Sequence, residues 1–190
     1  MLDLRQTAIP GVLVVATRWF SDDRGSFTET YNRQRFTAAG IANDFRQDNL
    51  AVSTKAGTLR GLHFQLPPSA QAKLVRVVKG SVFDAVVDIR DGSPTFGQWV
   101  GVELSATNRL QLMVPAGFAH GYMTLEPDTE FAYKVDAHYD KESEGGIVWN
   151  DPAIGIDWPV PASGVHVAPR DAELPTLAQL PRVANWTNEI

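Results

Sequence analysis

An all-β barrel or sandwich is the fold class that this chain predicts, and three observations carry it. Fifteen Gly and twelve Pro among 190 residues punctuate the sequence too often for long helices. The stretch KLVRVVKGSVFDAVVDIR, Lys73–Arg90, is dominated by β-branched residues on both sides of a Lys79-Gly80-Ser81 turn, which reads as a hairpin in the middle of a sheet. Strand-like segments also recur at the spacing of roughly 8–12 residues typical of sandwiches and barrels. In order, these are Gly11–Ala16, Gly25–Tyr31, Gln47–Ser53, Thr58–Gln65, the two halves of Lys73–Arg90, Gln98–Leu104, Arg109–Val114, His120–Leu125 and Thr129–Val135. A short peripheral helix is expected at Asn32–Ala39, closed by Gly40. From Asp151 onward six prolines predict an extended tail packed on the sheet, with one helical turn near Thr176–Gln179. No linker or repeat divides the chain, so a single domain over residues 1–190 is the expectation.

Composition excludes several function classes. The absence of cysteine rules out disulfides, thiolate metal sites and a cysteine nucleophile. A formal charge of −5 lacks the basic footprint of a nucleic-acid binder, so an anionic ligand must meet a local cluster of cations. No apolar run reaches the roughly 18 residues of a membrane span, and the start lacks a signal-peptide pattern. A soluble, cytoplasmic protein is the expectation.

Four histidines are few enough to weigh singly. His63 lies in GTLRGLHFQ, where period-two alternation puts Gly61, His63 and Gln65 on one face. His120 follows a Pro-Ala-Gly turn in PAGFAHGY. A Gly-flanked histidine strand paired with a later PxGxxH resembles the cupins, small jelly-roll barrels whose two motifs face each other across the lumen. Many cupins hold a metal with H-x-H, a following Glu and the second-motif His. Here Gln65 replaces the second His and no Glu precedes Lys73, which leaves two good ligands where three or four are usual. No metal and no cofactor are therefore expected.

The ordered set DDRGSFTE (Asp22–Glu29), QDNLAVS (Gln47–Ser53), GTLRGLHFQ (Gly57–Gln65), Gln71–Arg90, SPTFGQWVGVELSA (Ser93–Ala106), PAGFAHGY (Pro115–Tyr122), TEFAYKV (Thr129–Val135) and DPAIGIDWP (Asp151–Pro159) resembles the dTDP-4-dehydrorhamnose 3,5-epimerases, metal-free cupins that act on deoxysugar nucleotides. The resemblance implies a cupin-type jelly roll with short peripheral helices. It implies epimerisation at C3 and C5 of a dTDP-4-keto-6-deoxy sugar, or at one of those carbons in a relative from an antibiotic-sugar pathway. It also implies a homodimer, without nucleic-acid or membrane partners.

Epimerisation beside a ketone needs a base, a group for the enolate oxygen and an acid on the opposite face. His63 suits the base, since imidazole ionises near neutrality, although a satisfied core histidine is the more ordinary reading of the residue alone. Lys73 shares a face with Val75 and Val77, and a lysine among buried apolar residues needs a reason; a lysine at a strand entry reaching solvent is the alternative. By resemblance, Asp171 in APRD partners His63, Lys73 stabilises the enolate, and Tyr133 in TEFAYKV is the acid. Arg60 is the first candidate for the diphosphate, as guanidinium binds phosphate in two-point fashion. The resemblance also places Arg24, Phe27, Glu29, Gln47, Asn49, Tyr139 and Arg170 on the nucleotide, the first three from a neighbouring subunit, and His120 on the sugar or dyad side of the pocket. His138 and His166 match no motif and are expected at the surface. Phe64 departs from the tyrosine commoner in the family.

Overall fold

The computed structural model describes residues 2–183, 185 and 186. Among them the strands are β1 (Asp3–Gln6), β2 (Leu13–Ala16), β3 (Trp19–Asp22), β4 (Gly25–Thr28), β5 (Gln47–Ser53), β6 (Thr58–Gln65), β7 (Lys73–Lys79), β8 (Ser81–Asp88), β9 (Trp99–Ser105), β10 (Leu110–Val114), β11 (Phe118–Thr124), β12 (Thr129–Val135), β13 (Glu144–Gly146) and β14 (His166–Val167). Helices α1 (Arg33–Ala38) and α2 (Pro169–Ala172) and a 3-10 turn at Leu177–Gln179 join them. One sheet runs β1-β2-β10-β7-β12-β5 and the other β13-β6-β11-β8-β9, with β14 also paired to β6; β3 and β4 form a separate hairpin. This is the expected jelly roll.

The two large sheets face each other across an apolar core to which Val75, Val77, Leu112 and Phe131 come from one sheet and Val82, Val86, Leu104 and Phe118 from the other. A second core lies on the outer face of the β6-β11-β8 sheet, where Leu59, Ala85, Val87, Ala119 and Met123 meet Ile154, Trp158, Leu177 and Trp186 from the tail. Burial on both faces explains why every residue of β11, FAHGYMT, is buried instead of alternating. The tail is fastened by polar ties: Trp158 Nε1 donates to the Trp149 carbonyl at 2.8 Å, and the Leu177 N–H donates to the Asp151 carboxylate at 2.7 Å. Thr176 and Gln179 cap the expected helical turn there.

Lys73–Arg90 is not a hairpin. β7 pairs with β10 and β12, whereas β8 pairs with β11 and β9, so the chain passes from one sheet to the other at Gly80. Alternation reports which faces are buried and not which strand lies alongside. A single residue at φ +80° turns the corner, with Thr129 packed so closely that a Cβ on Gly80 would lie 2.4 Å from its hydroxyl. The expected strand from Gly25 ends at Thr28, because the Tyr31 ring turns onto Phe36 and Phe45 beside α1. Sequence reading also misses β1, β3, β13 and β14: β1 is the polar edge strand DLRQ, β13 carries two glycines, and β14 is two residues long. His166, expected at the surface, is half-buried because β14 lies against β6.

The face assignment of the histidine strand also changes. On β6 and β11, His63 stands opposite His120 but Arg60 opposite Tyr122, so three steps on one strand match two on the other. This is a β-bulge, and it brings Arg60 and His63, of opposite parity, onto the same inner face. At the bulge Gly61 adopts φ +120° and packs directly on β11: a Cβ there would lie 2.6 Å from Gly121 Cα and 2.7 Å from the His120 oxygen. Gly61→Ala is therefore expected to cost about 2–4 kcal/mol, from a forbidden conformation and a backbone clash together. Denaturant unfolding measures it, and a loss under about 0.5 kcal/mol would contradict the close approach.

Candidate active site

The open end of the barrel holds a cavity of about 460 Å³ into which both sheets and the tail project side chains. From β6 come Arg60, His63 and Gln65; from β11, His120 and Tyr122; from β7, Lys73; from β12, Phe131 and Tyr133; from the region of α2, Arg170 and Asp171. His63 and Tyr133 thus stand on opposite sheets and share one space.

His63 Nε2 lies 2.9 Å from Asp171 Oδ1. Burial alone would raise the Asp171 carboxyl, yet hydrogen bonds from His63, the Gly61 N–H and Arg170 outweigh it and hold the pKa below its usual value. An ionised carboxylate only accepts, so Nε2 carries a proton, and in the neutral ring the free lone pair is the one on Nδ1. The other carboxylate oxygen accepts the Gly61 N–H at 3.2 Å, which ties the tail to the bulge. Parallel pairing of β14 with the start of β6 is what carries α2 to this point. On its own, APRD reads as a turn; its role as a short helix with Asp171 buried becomes visible only once the tail is folded back.

Lys73 is buried as its strand face predicts, and its Nζ donates to the His63 carbonyl at 3.2 Å. Burial lowers its pKa to about 8, opposed by the carboxylates of Asp84 and Glu144. Its ammonium is thus thinly compensated and available to an anionic oxygen in the cavity. His120 is held differently: its Nε2 lies 3.0 Å from both oxygens of Asp84, and that carboxyl is raised by burial against the pull of His120 and Lys73. Tyr133 is half-buried, and desolvation raises its phenol against the opposing Arg60 cation.

At the mouth, Glu144 binds Arg170 Nη2 at 2.6 Å and accepts the Tyr139 hydroxyl at 3.0 Å. Of the expected nucleotide contacts, Tyr139 and Arg170 line the cavity, whereas Gln47 and Asn49 do not: Gln47 accepts the Tyr139 N–H at 3.3 Å and donates to Asn49 Oδ1 at 2.9 Å, and Asn49 lines a separate depression with Asp48 and Lys134. Arg24 and Phe27 lie elsewhere, on the β3-β4 hairpin, and line none of this cavity. Glu29 is engaged by Asn32 and Arg35 at the start of α1. His138 is exposed, as expected.

Asp84, Tyr122 and Glu144 were not singled out from sequence. A signal existed for Asp84, a charge inside the buried run VFDAVVD; Glu144 sits in a polar segment with no periodicity to mark it. Among the described residues no group of three His, Asp or Glu side chains is placed to hold a metal ion, and no helix is long and apolar enough to cross a membrane. The metal-ligand position of other cupins is occupied by Gln65, whose amide donates to the Ser69 and His138 carbonyls.

A jelly roll with a histidine–carboxylate pair, a desolvated lysine and a tyrosine converging on one pocket defines a cupin-type enzyme built for acid–base chemistry. The chain belongs to the dTDP-4-dehydrorhamnose 3,5-epimerase family, which residues 6–179 match. It is 51% identical over 180 residues to the dTDP-4-dehydrorhamnose 3,5-epimerase of Salmonella typhimurium, covering 94% of this chain and 97% of that one. The dTDP-6-deoxy-D-glucose-3,5-epimerase of Legionella pneumophila, solved with dTDP-4-keto-L-rhamnose, superposes with a TM-score of 0.91 at 42% identity, over 96% of this chain and 99% of that one. A 3'-monoepimerase of Streptomyces bikiniensis, solved with dTDP-quinovose, gives 0.84 at 34% identity, over 90% and 86%.

The His63 tautomer is directly testable. In Asp171→Asn the amide oxygen has the Gly61 N–H to satisfy, which turns the amide NH2 toward His63 and moves the ring proton to Nδ1. Nitrogen-15 NMR of the imidazole should show a protonated Nε2 in the native protein and an unprotonated one in the variant. An unchanged Nε2 signal would contradict this polarity.

Proposed function

We propose that the chain epimerises C3 and C5 of dTDP-4-dehydro-6-deoxy-D-glucose, giving dTDP-4-dehydro-L-rhamnose without a cofactor. The observation that carries the reading is the convergence of His63 and Tyr133 from opposite walls on a cavity that also holds the buried Lys73. Inverting a carbon next to a ketone requires removal of the proton on one face and its return on the other, and these two side chains supply the two faces.

In this mechanism His63 Nδ1 takes the proton from the carbon beside the C4 ketone, and the Asp171 carboxylate stabilises the imidazolium through Nε2–H. The electron pair moves onto the C4 oxygen, where the Lys73 ammonium meets the negative charge in a low-dielectric pocket. Collapse of the enolate draws the Tyr133 proton onto the opposite face, and proton exchange with solvent resets both groups. The same cycle, after the ring presents its other α-carbon, inverts the second centre. Arg60 takes the diphosphate, while Gln47, Asn49, Tyr139 and Arg170 line the path of the nucleoside, with Tyr139 stacking on the base. His120, fixed by Asp84, contacts the sugar.

Arg24, Phe27 and Glu29 contact nucleotide in this reading by reaching from a second copy, in a homodimer of single-domain chains. The β3-β4 hairpin supports this: among the described residues its two strands pair only with each other, and it exposes Phe20 and Phe27 by 53% and 68%. An active site shared between subunits predicts complementation. Mixed, unfolded and refolded together, His63→Ala and Arg24→Ala chains should regain activity that neither has alone, because one of the two sites in each mixed dimer is intact. No recovery would place Arg24 outside the site.

Proton NMR of the keto sugar in D2O tests the reaction itself: the signals at C3 and C5 should both disappear. Loss at one carbon would identify a monoepimerase, and loss at neither would refute the assignment. His63→Ala should slow exchange at both carbons by about 10²–10⁴, while Tyr133→Phe should slow product formation more than exchange. The Lys73 ammonium, with its pKa near 8, should give kcat/KM an alkaline limb near that pH, since the cation is present below it and lost above it. Lys73→Met should remove the limb along with most of the activity.

A further inference from the structure

Arg60, Tyr122 and Asp84 stand side by side across β6, β11 and β8, and the middle residue of this row carries a group that the mechanism above leaves without a task. Tyr122 is 4% exposed and lines the cavity. Its ring stacks on Phe131 with centroids 3.9 Å apart and planes 20° apart, a contact that a phenylalanine would make equally well. Its hydroxyl is buried with no hydrogen-bond partner among the described residues. Ser53 exerts the weakest of the influences on the phenol, and its hydroxyl accepts Arg60 Nε at 3.4 Å.

A buried hydroxyl left unsatisfied is unfavourable, so a phenol kept in this position needs a ligand atom to complete it. Burial raises its pKa, with Arg60 and Ser53 pulling the other way and Tyr133 and Asp84 adding to the rise, so the group remains a neutral donor. An acceptor that sits beside both a guanidinium and a neutral O–H donor is favoured when it is anionic.

We propose that the Tyr122 hydroxyl is a substrate-binding donor that completes, with Arg60, the site for the diphosphate of the nucleotide sugar. The inference rests on reading the cavity as a nucleotide-sugar site and adds a residue to it. Its signature is a division between stability and affinity: the hydroxyl is unpaired when the cavity is empty and paired when the diphosphate is bound.

Calorimetric titration of dTDP and of thymidine into the native protein and Tyr122→Phe, with thermal unfolding of both in the absence of ligand, tests this. In the variant the Kd for dTDP should rise about tenfold, the Kd for thymidine should stay the same, and the ligand-free melting temperature should hold or increase. In turnover the loss should appear in KM more than in kcat. An unchanged Kd for dTDP overturns the inference, as does an equal loss for thymidine accompanied by a lower melting temperature, which would mark a structural hydroxyl. If native protein fails to bind dTDP, the nucleotide-sugar reading itself fails, a result distinct from the first two. Should the variant not fold, the native protein still decides: dTDP, but not thymidine, should slow exchange of the Tyr122 hydroxyl proton with water, and equal exchange with both overturns the inference.

Discussion

The clamp between Asp171 and the β6 bulge is the constraint on which the rest of the site depends. One carboxylate oxygen holds the His63 ring and the other holds the Gly61 N–H, so a single tail residue orients the imidazole and satisfies the backbone at the irregularity that positions it. The bulge in turn places Arg60 beside His63 on the inner face. Without the extra residue, strict alternation would send one of the two away from the cavity. The close approach of Gly61 to Gly121 therefore links backbone packing to the spacing between the candidate base and the candidate phosphate ligand.

The cavity floor is a second constraint, and it is electrostatic. Lys73, Asp84 and His120 are all buried, and none of them would remain so at ordinary cost if alone. Asp84 lies between the other two, hydrogen-bonded to His120 and attracted to Lys73, and this compensation is incomplete: Lys73 falls to a pKa of about 8 and Asp84 rises. A pocket that leaves a cation under-compensated in its unliganded form is ready for a negative charge that appears only during reaction, which is the condition for preferential transition-state stabilisation. At the exposed mouth, Glu144 holds both Arg170 and Tyr139 by weaker, solvent-screened ties.

The tail has two tasks that share one cause. Its tryptophans and leucine cover the outer face of the β6-β11-β8 sheet, burying side chains worth about 1.5–3 kcal/mol each, and the path they impose delivers α2 to the cavity. Trp186 packs edge-on against Phe64, which lines the cavity, so substitutions that loosen this packing would disturb the site as well as stability.

Much was legible in the residues themselves. Composition and punctuation determined the β class, and the bounds of β5, β6 and β12 followed from alternation and turn residues, because a strand with one face buried writes its period into the chain. The capped turn after Thr176, the short helix after Asn32 and a lysine on the face of Val75 and Val77 were equally local properties. What alternation does not encode is which strand lies beside which. The separation of β7 from β8 into different sheets, the bulge that reverses the parity of Arg60, and the pairing of His63 with a carboxylate 108 residues away were decided only by the closed barrel. The reason is physical: periodicity records the burial of a residue's own side chain, whereas a site is a set of distances between residues that only long-range pairing brings together.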